Sequence, residues 1–523
     1  MKDKLINKLK YSNIDYTVFL PSILVSCIFL MLIIIYPIQS KVITNGILSF
    51  LTKNLGWLYS IVCICAFGFS VYISFSKIGN IKLGAKDEEP EFSYFSWVSM
   101  IFAAGVGIGL MLFGFLEPIM YLNDPPFDII AHSNEAFEWA HMYGQFHWGI
   151  SAWAFYVPIA ISVAYYIHVR KKETTKISST CKPILGRYSK AGISSIIDIF
   201  VIFGMLGGIG ASLGLAVPMI STIASEVLNI PDSWMLKLII IFIWILLFGI
   251  SVYRGLDKGI KIFSNINIVL AIGFAIFVFF IGPSRFILKI ETNSIGLYLQ
   301  NAIRMSFWTD PIGQGGFVER WTAFYWGWWL AYAPMMGLFI ARISKGRTLK
   351  QVSVGMITWG ALGSCFFFAI FGGYSLYLEK NNILNISQIL NTLGREMAII
   401  EILKTVPFSN FIIIMYGIIC FIFLATTIDS SAYVLASVCT KRLKGNEEPE
   451  RWNRLLWAFV FGLVAVSLVL LGGLESAQAS AIIGGTPIII IFIILVLSLK
   501  KMIKEDYPNL LRKEKYSLEE KNK

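Results

Sequence analysis

Long apolar stretches alternate with short polar segments along the whole chain, near positions 17–37, 55–76, 96–122, 142–169, 192–225, 234–253, 259–281, 320–342, 351–374, 407–440, 452–473 and 477–499. A helix needs roughly 20 apolar residues to cross a bilayer. The pattern therefore predicts an all-α polytopic membrane protein with 12 transmembrane helices. The first stretch follows Lys2, Lys4, Lys8 and Lys10 as a signal peptide would, but it is too long and has no small-residue cleavage site before Lys41. It is read as a retained span.

Composition agrees, and charge adds direction. Hydrophobic residues are 56% and charged residues 15% of the 523, with a mean hydropathy of +0.69; a soluble domain would not tolerate such a surface. The two termini and the even-numbered loops hold about 34 of the 44 Lys and Arg, with clusters at 170–190, 342–350 and 441–454. Under the positive-inside rule those segments, both termini included, are cytoplasmic in a plasma-membrane protein. The net charge of +12 is thereby explained by topology, and nucleic acid is not expected as a partner. The loop from Asn123 to Ala140 carries Asp124, Asp128, Glu135 and Glu138 without a Lys or Arg. Seven cysteines are scattered, and the spacing of the close pair Cys63 and Cys65 fits neither a redox motif nor a zinc site.

Two interruptions of the apolar pattern carry candidate chemistry. In the third span, Ala103-Ala104-Gly105-Val106-Gly107-Ile108-Gly109 places three alternating glycines mid-membrane. No strand precedes them, which excludes a phosphate loop. They serve either close helix packing or a broken helix whose freed backbone N–H groups face a substrate anion near the midplane. Five spans later, Trp321 to Tyr332 reads WTAFYWGWWLAY, with four tryptophans, two tyrosines and no carboxylate. Ring faces hold a quaternary ammonium, which cannot donate a hydrogen bond, at about 0.5 to 2 kcal/mol per contact. The plainer alternative is an aromatic belt facing lipid. The fourth span adds Trp148, Trp153 and Tyr156, within about 140° of one another on an ideal helix. In the eighth, Phe324, Trp328 and Tyr332 share a face, joined by Trp329. No acidic residue interleaves with either set, so the cage suits a cation held by π-faces, best within a zwitterion that brings no net charge into the membrane. Spans three to seven and eight to twelve then form two halves.

The stretch PEFSYFSWVSMIFAAGVGIGLMLFGFLEP from Pro90 and the stretch WTAFYWGWW…ARISKGRT from Trp321, together with SNIN at Ser264 and TTIDSSAY at Thr426, resemble the signatures of the betaine/carnitine/choline transporters. The resemblance implies a LeuT-like fold of two inverted five-helix repeats, alternating access and a homotrimer. It divides the chain into 1–95 (N-terminus and two peripheral spans), 96–281 (first repeat), 282–318 (an amphipathic connecting helix bearing Arg285, Lys289, Glu291 and Arg304), 319–499 (second repeat) and a tail at 500–523. It places the substrate site on Trp148, Trp153, Tyr156 and Trp329, with Phe324, Trp328 and Tyr332 completing the site or its gate and Gly105, Gly107 and Gly109 lining it. Tyr332 and Met336 are similar to the pattern of the family's carnitine exchangers; the sodium-coupled betaine members have tryptophan at the first position.

The resemblance gives a divided answer on sodium, the one cofactor in view; no other metal is expected. Sodium takes hard oxygen ligands. Where sodium-coupled members have a threonine pair, this chain has Met205 and Ile209. A second family site falls on Phe423, Thr426 and Thr427 beside backbone near Ala103 and Val106, although adjacent threonines commonly bond back to helix carbonyls. The expectation leans to sodium-independent exchange, with a sodium-coupled symporter of glycine betaine or choline as the alternative. Gly109 stands where proton-coupled choline members have an acid, which favours carnitine, γ-butyrobetaine or glycine betaine over choline. Asp429 is expected to set helix contacts, Arg342, Lys345 and Arg347 to signal topology, and Glu319 to pair with Arg320. The tail from Lys500, with 8 basic and 5 acidic side chains, gives little support to the osmotic activation known for some members, which resemble one another in long charged termini. An enzyme is not expected, since His132, His141, His147 and His168 form no HExxH or comparable pairing. A transport-dead receptor would have lost its gate or its repeat, and neither loss is visible.

Overall fold

A computed structural model describes residues 13–105, 107–174, 176–190, 192–254, 259–443 and 447–510. Among these it is almost wholly helical. Asp15 caps α1 (Tyr16–Ile35) by accepting the Thr17 amide. Pro37 then opens α2 (Pro37–Phe75): Tyr36, the residue before a proline, is held out of the helical region, and a proline at the first helical position sacrifices no bond. α2 thus starts well before the apolar run at 55. Lys41, Asn45, Lys53 and Asn54 dilute the hydropathy of its first turns without interrupting the helix.

The third span is broken. α3 (Tyr94–Gly105) and α4 (Ile108–Asn123) are separate helices, and Gly107 between them is non-helical, with φ −46° and ψ −150°. The fourth span is interrupted too, which the hydropathy pattern does not reveal. It runs as α5 (Asn134–Trp148), α6 (Ile150–Ala154) and α7 (Tyr156–Ala164), followed by a π-helical turn at Tyr165–Val169. Gly149 separates Trp148 from Trp153, so these two rings are not set by one ideal helix. α8 (Ile177–Leu185) leads into α9 (Ile193–Leu228), α10 (Trp234–Arg254) and α11 (Gly259–Ile281).

α12 (Ser284–Phe307) departs from α11 at 109°. It occupies the expected connecting segment, with Ile287, Ile290 and Met305 buried and Leu288, Ile295, Leu299 and Ile303 exposed. A π-helical turn at Val318–Thr322 opens α13 (Ala323–Ile343). α14 (Leu349–Phe367), capped by the reciprocal Thr348 and Gln351 bonds, ends in another π turn, Phe368–Gly372, that continues as α15 (Gly373–Lys380). The short α16 (Ile386–Thr392) and α17 (Arg395–Lys404) precede α18 (Ser409–Val438), α19 (Arg451–Leu471), α20 (Gly473–Gly485) and α21 (Ile488–Asp506).

Among the described residues, every predicted apolar stretch carries helix. By length and hydropathy alone, eight of the described helices qualify as spans, or nine with the bent α11–α12 pair; the broken α3–α4 and the tryptophan- and tyrosine-rich α13 do not. α5–α7, α9, α13 and α4 form the buried centre, whereas α1, α2, α10 and α11 expose large apolar side chains such as Leu24, Val42, Phe242 and Phe280. That arrangement is stable only with lipid against the outer helices.

Candidate functional site

The glycine break, α5–α7 and α13 converge on one set of rings. Trp148 meets Trp329 edge-on, centroids 5.1 Å apart at 89°. Trp329 meets Tyr156 at 5.8 Å and 73°, and Tyr156 meets Trp153 at 5.6 Å and 87°. The four aromatics that lie far apart in sequence thus form an unbroken arc. Trp328 joins it 5.9 Å from Trp148, stacks on Phe324 at 5.3 Å and lies 6.4 Å from Tyr332. All seven are buried.

Hydrogen bonds fix these rings by their edges and leave the faces to other contacts. The indole N–H of Trp148 donates to Glu117 Oε2 (2.8 Å), that of Trp329 to the His147 carbonyl (3.0 Å), that of Trp328 to the Gly208 carbonyl (3.1 Å) and that of Trp153 to Ser364 Oγ (3.3 Å). The Tyr332 hydroxyl lies 2.9 Å from Ser212 Oγ. The Tyr156 hydroxyl is buried and has no hydrogen-bond partner among the described residues, an uncommon state for such a group.

The broken helix touches the arc directly. A Cβ on Gly105 would stand 2.5 Å from Trp153 Cη2 and 3.0 Å from Met336 Cε, and one on Gly109 would stand 2.8 Å from Trp148 Cη2 and 3.2 Å from Trp328 Cη2. Glycine is required at both positions by these close approaches. On the other side, a Cβ on Gly107 would lie 3.1 Å from Thr427 Oγ1, which brings the break beside the candidate ion ligands of α18. There the Thr426 hydroxyl bonds to the Ile422 and Phe423 carbonyls (3.2 and 3.0 Å) and the Thr427 hydroxyl to the Phe423 carbonyl (2.9 Å). Their oxygens are bonded back into the helix but keep lone pairs free. Val106 lies outside the described residues, as does the side chain of Ala103. Met205 and Ile209 on α9 are fully buried and present no oxygen. Among the described residues, no group of three His, Cys, Asp or Glu is placed to hold a metal ion.

Several expectations need correction. An acid does stand beside the cage: Glu117, fully buried, accepts Trp148, the Tyr325 hydroxyl (2.5 Å) and the Tyr121 hydroxyl. The Tyr121 hydroxyl also lies 2.6 Å from His147 Nδ1, whose Nε2 is 3.1 Å from Thr322 Oγ1. Sequence reasoning missed this network because its members come from three spans, and only tertiary contact joins them. Arg320 does not pair with Glu319; its guanidinium grips Asp124 at 2.7 and 2.9 Å. Arg347 does more than signal topology. It is 3% exposed, lies 4.3 Å over the Trp97 ring and donates to the Phe92 carbonyl at 2.8 Å. Lys345 pairs with Glu88 at 2.7 Å, and that contact holds the Glu88 carboxyl below its ordinary pKa. Arg342 sits 4.9 Å over Tyr433.

A solved structure described as the substrate-bound, outward-open state of a Na+-coupled sialic acid symporter is similar to this chain at a TM-score of 0.45 and 13% identity, over 83% of this chain and 85% of that one. The family described as BCCT, betaine/carnitine/choline family transporter, matches residues 17–508. With nearly its whole length matched and its helices exposing apolar surface to lipid, the chain belongs to the BCCT family of membrane transporters.

Proposed function

We propose that this transporter carries quaternary-ammonium zwitterions, of the carnitine, γ-butyrobetaine and glycine betaine kind, across the plasma membrane by alternating access, as a sodium-independent exchanger of one substrate for another. The observation that carries the reading is the arc Trp148, Trp329, Tyr156 and Trp153, edge-fixed rings with one hydroxyl unsatisfied. Such rings hold an ammonium that donates no hydrogen bond. The Tyr156 hydroxyl and the Ile108 and Gly109 amides, which precede the first bonded amide of α4 at Leu110, suit the carboxylate at the other end of the molecule. Met205 and Ile209 support sodium independence, since neither offers the oxygen that a hard cation requires.

One observation favours a second reading, sodium-coupled symport of glycine betaine or choline. The hydroxyls of Thr426 and Thr427 and the Phe423 carbonyl gather where α18 meets Gly107, a donor set of the right chemistry for sodium. The homotrimer implied by the family resemblance belongs to the same proposal, with the exposed apolar stripe of α12 available for contact between copies.

The deciding experiment is uptake of labelled carnitine and glycine betaine into proteoliposomes, with and without sodium and with and without unlabelled γ-butyrobetaine inside. Acceleration by the preload in the absence of sodium is the expected result. Accumulation that requires sodium and ignores the preload would establish the symporter reading instead.

A further inference from the structure

We infer that Glu117 is the counter-charge of the aromatic box, acting through the indole of Trp148, and that it sets the balance between cationic and zwitterionic quaternary-ammonium ligands. This rests on the aromatic-box reading above and assigns a specificity role to a residue outside the box.

The hydrogen-bond pattern accommodates a negative charge on Glu117. Indole N–H can only donate, so Trp148 commits Glu117 Oε2 to accepting, and the Tyr325 hydroxyl occupies the same oxygen at 2.5 Å. Oε1 faces the Tyr121 hydroxyl, which meets His147 Nδ1 at 2.6 Å, and His147 Nε2 meets Thr322 Oγ1 at 3.1 Å. We assign His147 the neutral form with its proton on Nδ1, and the chain then runs in one direction. Thr322 donates to His147, His147 to Tyr121, and Tyr121 to Glu117. Every hydrogen then has an acceptor, and Glu117 receives three donors as an ionised carboxylate, which is the form such bonds favour.

Among the described residues, that anion has no cation of its own. The one basic nitrogen within 4 Å among the described residues is His147 Nδ1, 3.8 Å from Oε1 and engaged as a neutral donor to Tyr121. A buried charge calls for a partner. The ring of Trp148 extends from Glu117 to the tip that touches Gly109, so a quaternary ammonium on its face lies one indole away from the carboxylate. Donation of the indole N–H to an anion also enriches the ring in electron density and strengthens its hold on a cation. Gly109 leaves the wall of the box without an acid, and Glu117 supplies the negative charge from behind it.

A ligand with a net positive charge feels this field in full, whereas a zwitterion's own carboxylate offsets it. Choline binding therefore depends on Glu117 more than glycine betaine binding does. The test is direct binding of labelled choline and labelled glycine betaine to the purified full-length transporter, comparing wild type, Glu117→Gln, Glu117→Asp and Trp148→Phe. In Glu117→Gln the choline Kd is expected to rise about tenfold and the glycine betaine Kd less than about threefold, the scale of one unit charge at this range in a partly polarisable site. Glu117→Asp, which keeps the charge, should restore most of the ratio between the two. The ratio is taken within one preparation, so a lower yield of folded protein cancels. Should Glu117→Gln fail to fold, Trp148→Phe, which keeps a ring and loses the N–H, is expected to shift the ratio in the same direction. An unchanged ratio in either folded variant overturns the role of Glu117 alone. Wild-type protein that binds neither ligand overturns the aromatic-box reading and this inference with it.

Discussion

Trp329 has two functions that a smaller apolar residue cannot replace. Its ring stands between Trp148 and Tyr156, and its N–H satisfies the His147 carbonyl. Trp329→Leu removes one wall of the box, a loss of about 2 kcal/mol or roughly thirtyfold in affinity. Saturable uptake at micromolar substrate should vanish while the purified protein stays monodisperse on gel filtration; near-normal uptake by such a folded variant would remove the central claim. The tryptophans were legible in the sequence because two dense aromatic segments in membrane-length runs are conspicuous at any register. Glu117 is visible in the sequence as an acid within a span, but its joining to Tyr121, His147 and Tyr325 was not legible. Each is an ordinary residue in its own span, and their significance arises from contacts between residues as much as 208 positions apart. The pairing of Arg320 was misread for the same reason: Glu319 is the neighbour in sequence, but Asp124 is the neighbour in space.

At the scale of the element, the glycine break and the aromatic helices constrain one another. The sequence allowed either close packing or a broken helix at 105–109, and the structure has both: the helix breaks at Gly107, and the glycines on either side of it press against tryptophan rings. A methyl group on Gly105 would lie 2.5 Å from Trp153, and overpacking of this kind costs about 1–3 kcal/mol. Gly105→Ala is therefore expected to lower the thermal midpoint in detergent and to abolish uptake. Adding Trp153→Phe should recover the midpoint without recovering affinity, because space returns while one box ring shrinks. Equal midpoints for wild type and Gly105→Ala would show that the rings retreat freely and that the break is not held by them. The interruption at Gly149 went unseen because a single glycine in an apolar run is usually tolerated. On α9, Met205→Thr with Ile209→Thr restores hydroxyls at two buried positions. Uptake that ignores sodium in the parent and responds to it in the double variant is the expected outcome, measured as initial rate against sodium concentration. Steep sodium dependence in the parent would refute the reading of these positions.

Across the whole molecule, the basic residues that mark the predicted cytoplasmic side also join distant parts of the chain. Arg170, just beyond the π turn after α7, binds Asp506 and Glu505 at the end of α21 (2.8 and 2.6 Å), so that helix continues past the apolar run ending at 499. Arg347 joins the loop before α14 to the start of α3, over the Trp97 ring and onto the Phe92 carbonyl, while the Trp97 N–H donates to Ser344 Oγ at 3.0 Å. The two contacts differ in burial, and that difference decides their strengths. The Arg170 cluster is partly solvated, with Glu505 about half exposed, and exposed ion pairs are worth under about 1 kcal/mol. Arg347 is held away from water by aromatic faces, where a cation–π contact and a charged hydrogen bond together reach about 2 kcal/mol or more. Arg347→Ala should therefore lower the thermal midpoint clearly more than Arg170→Ala. Arg347→Lys should recover little of the loss, since an ammonium cannot lie flat on Trp97 and still reach Phe92 as a guanidinium does. High salt should narrow the gap between wild type and Arg170→Ala by screening and leave the effect of Arg347→Ala in place. The opposite ranking would mean that the two halves of the chain are joined at the α7–α21 contact and that the buried arginine is a passenger.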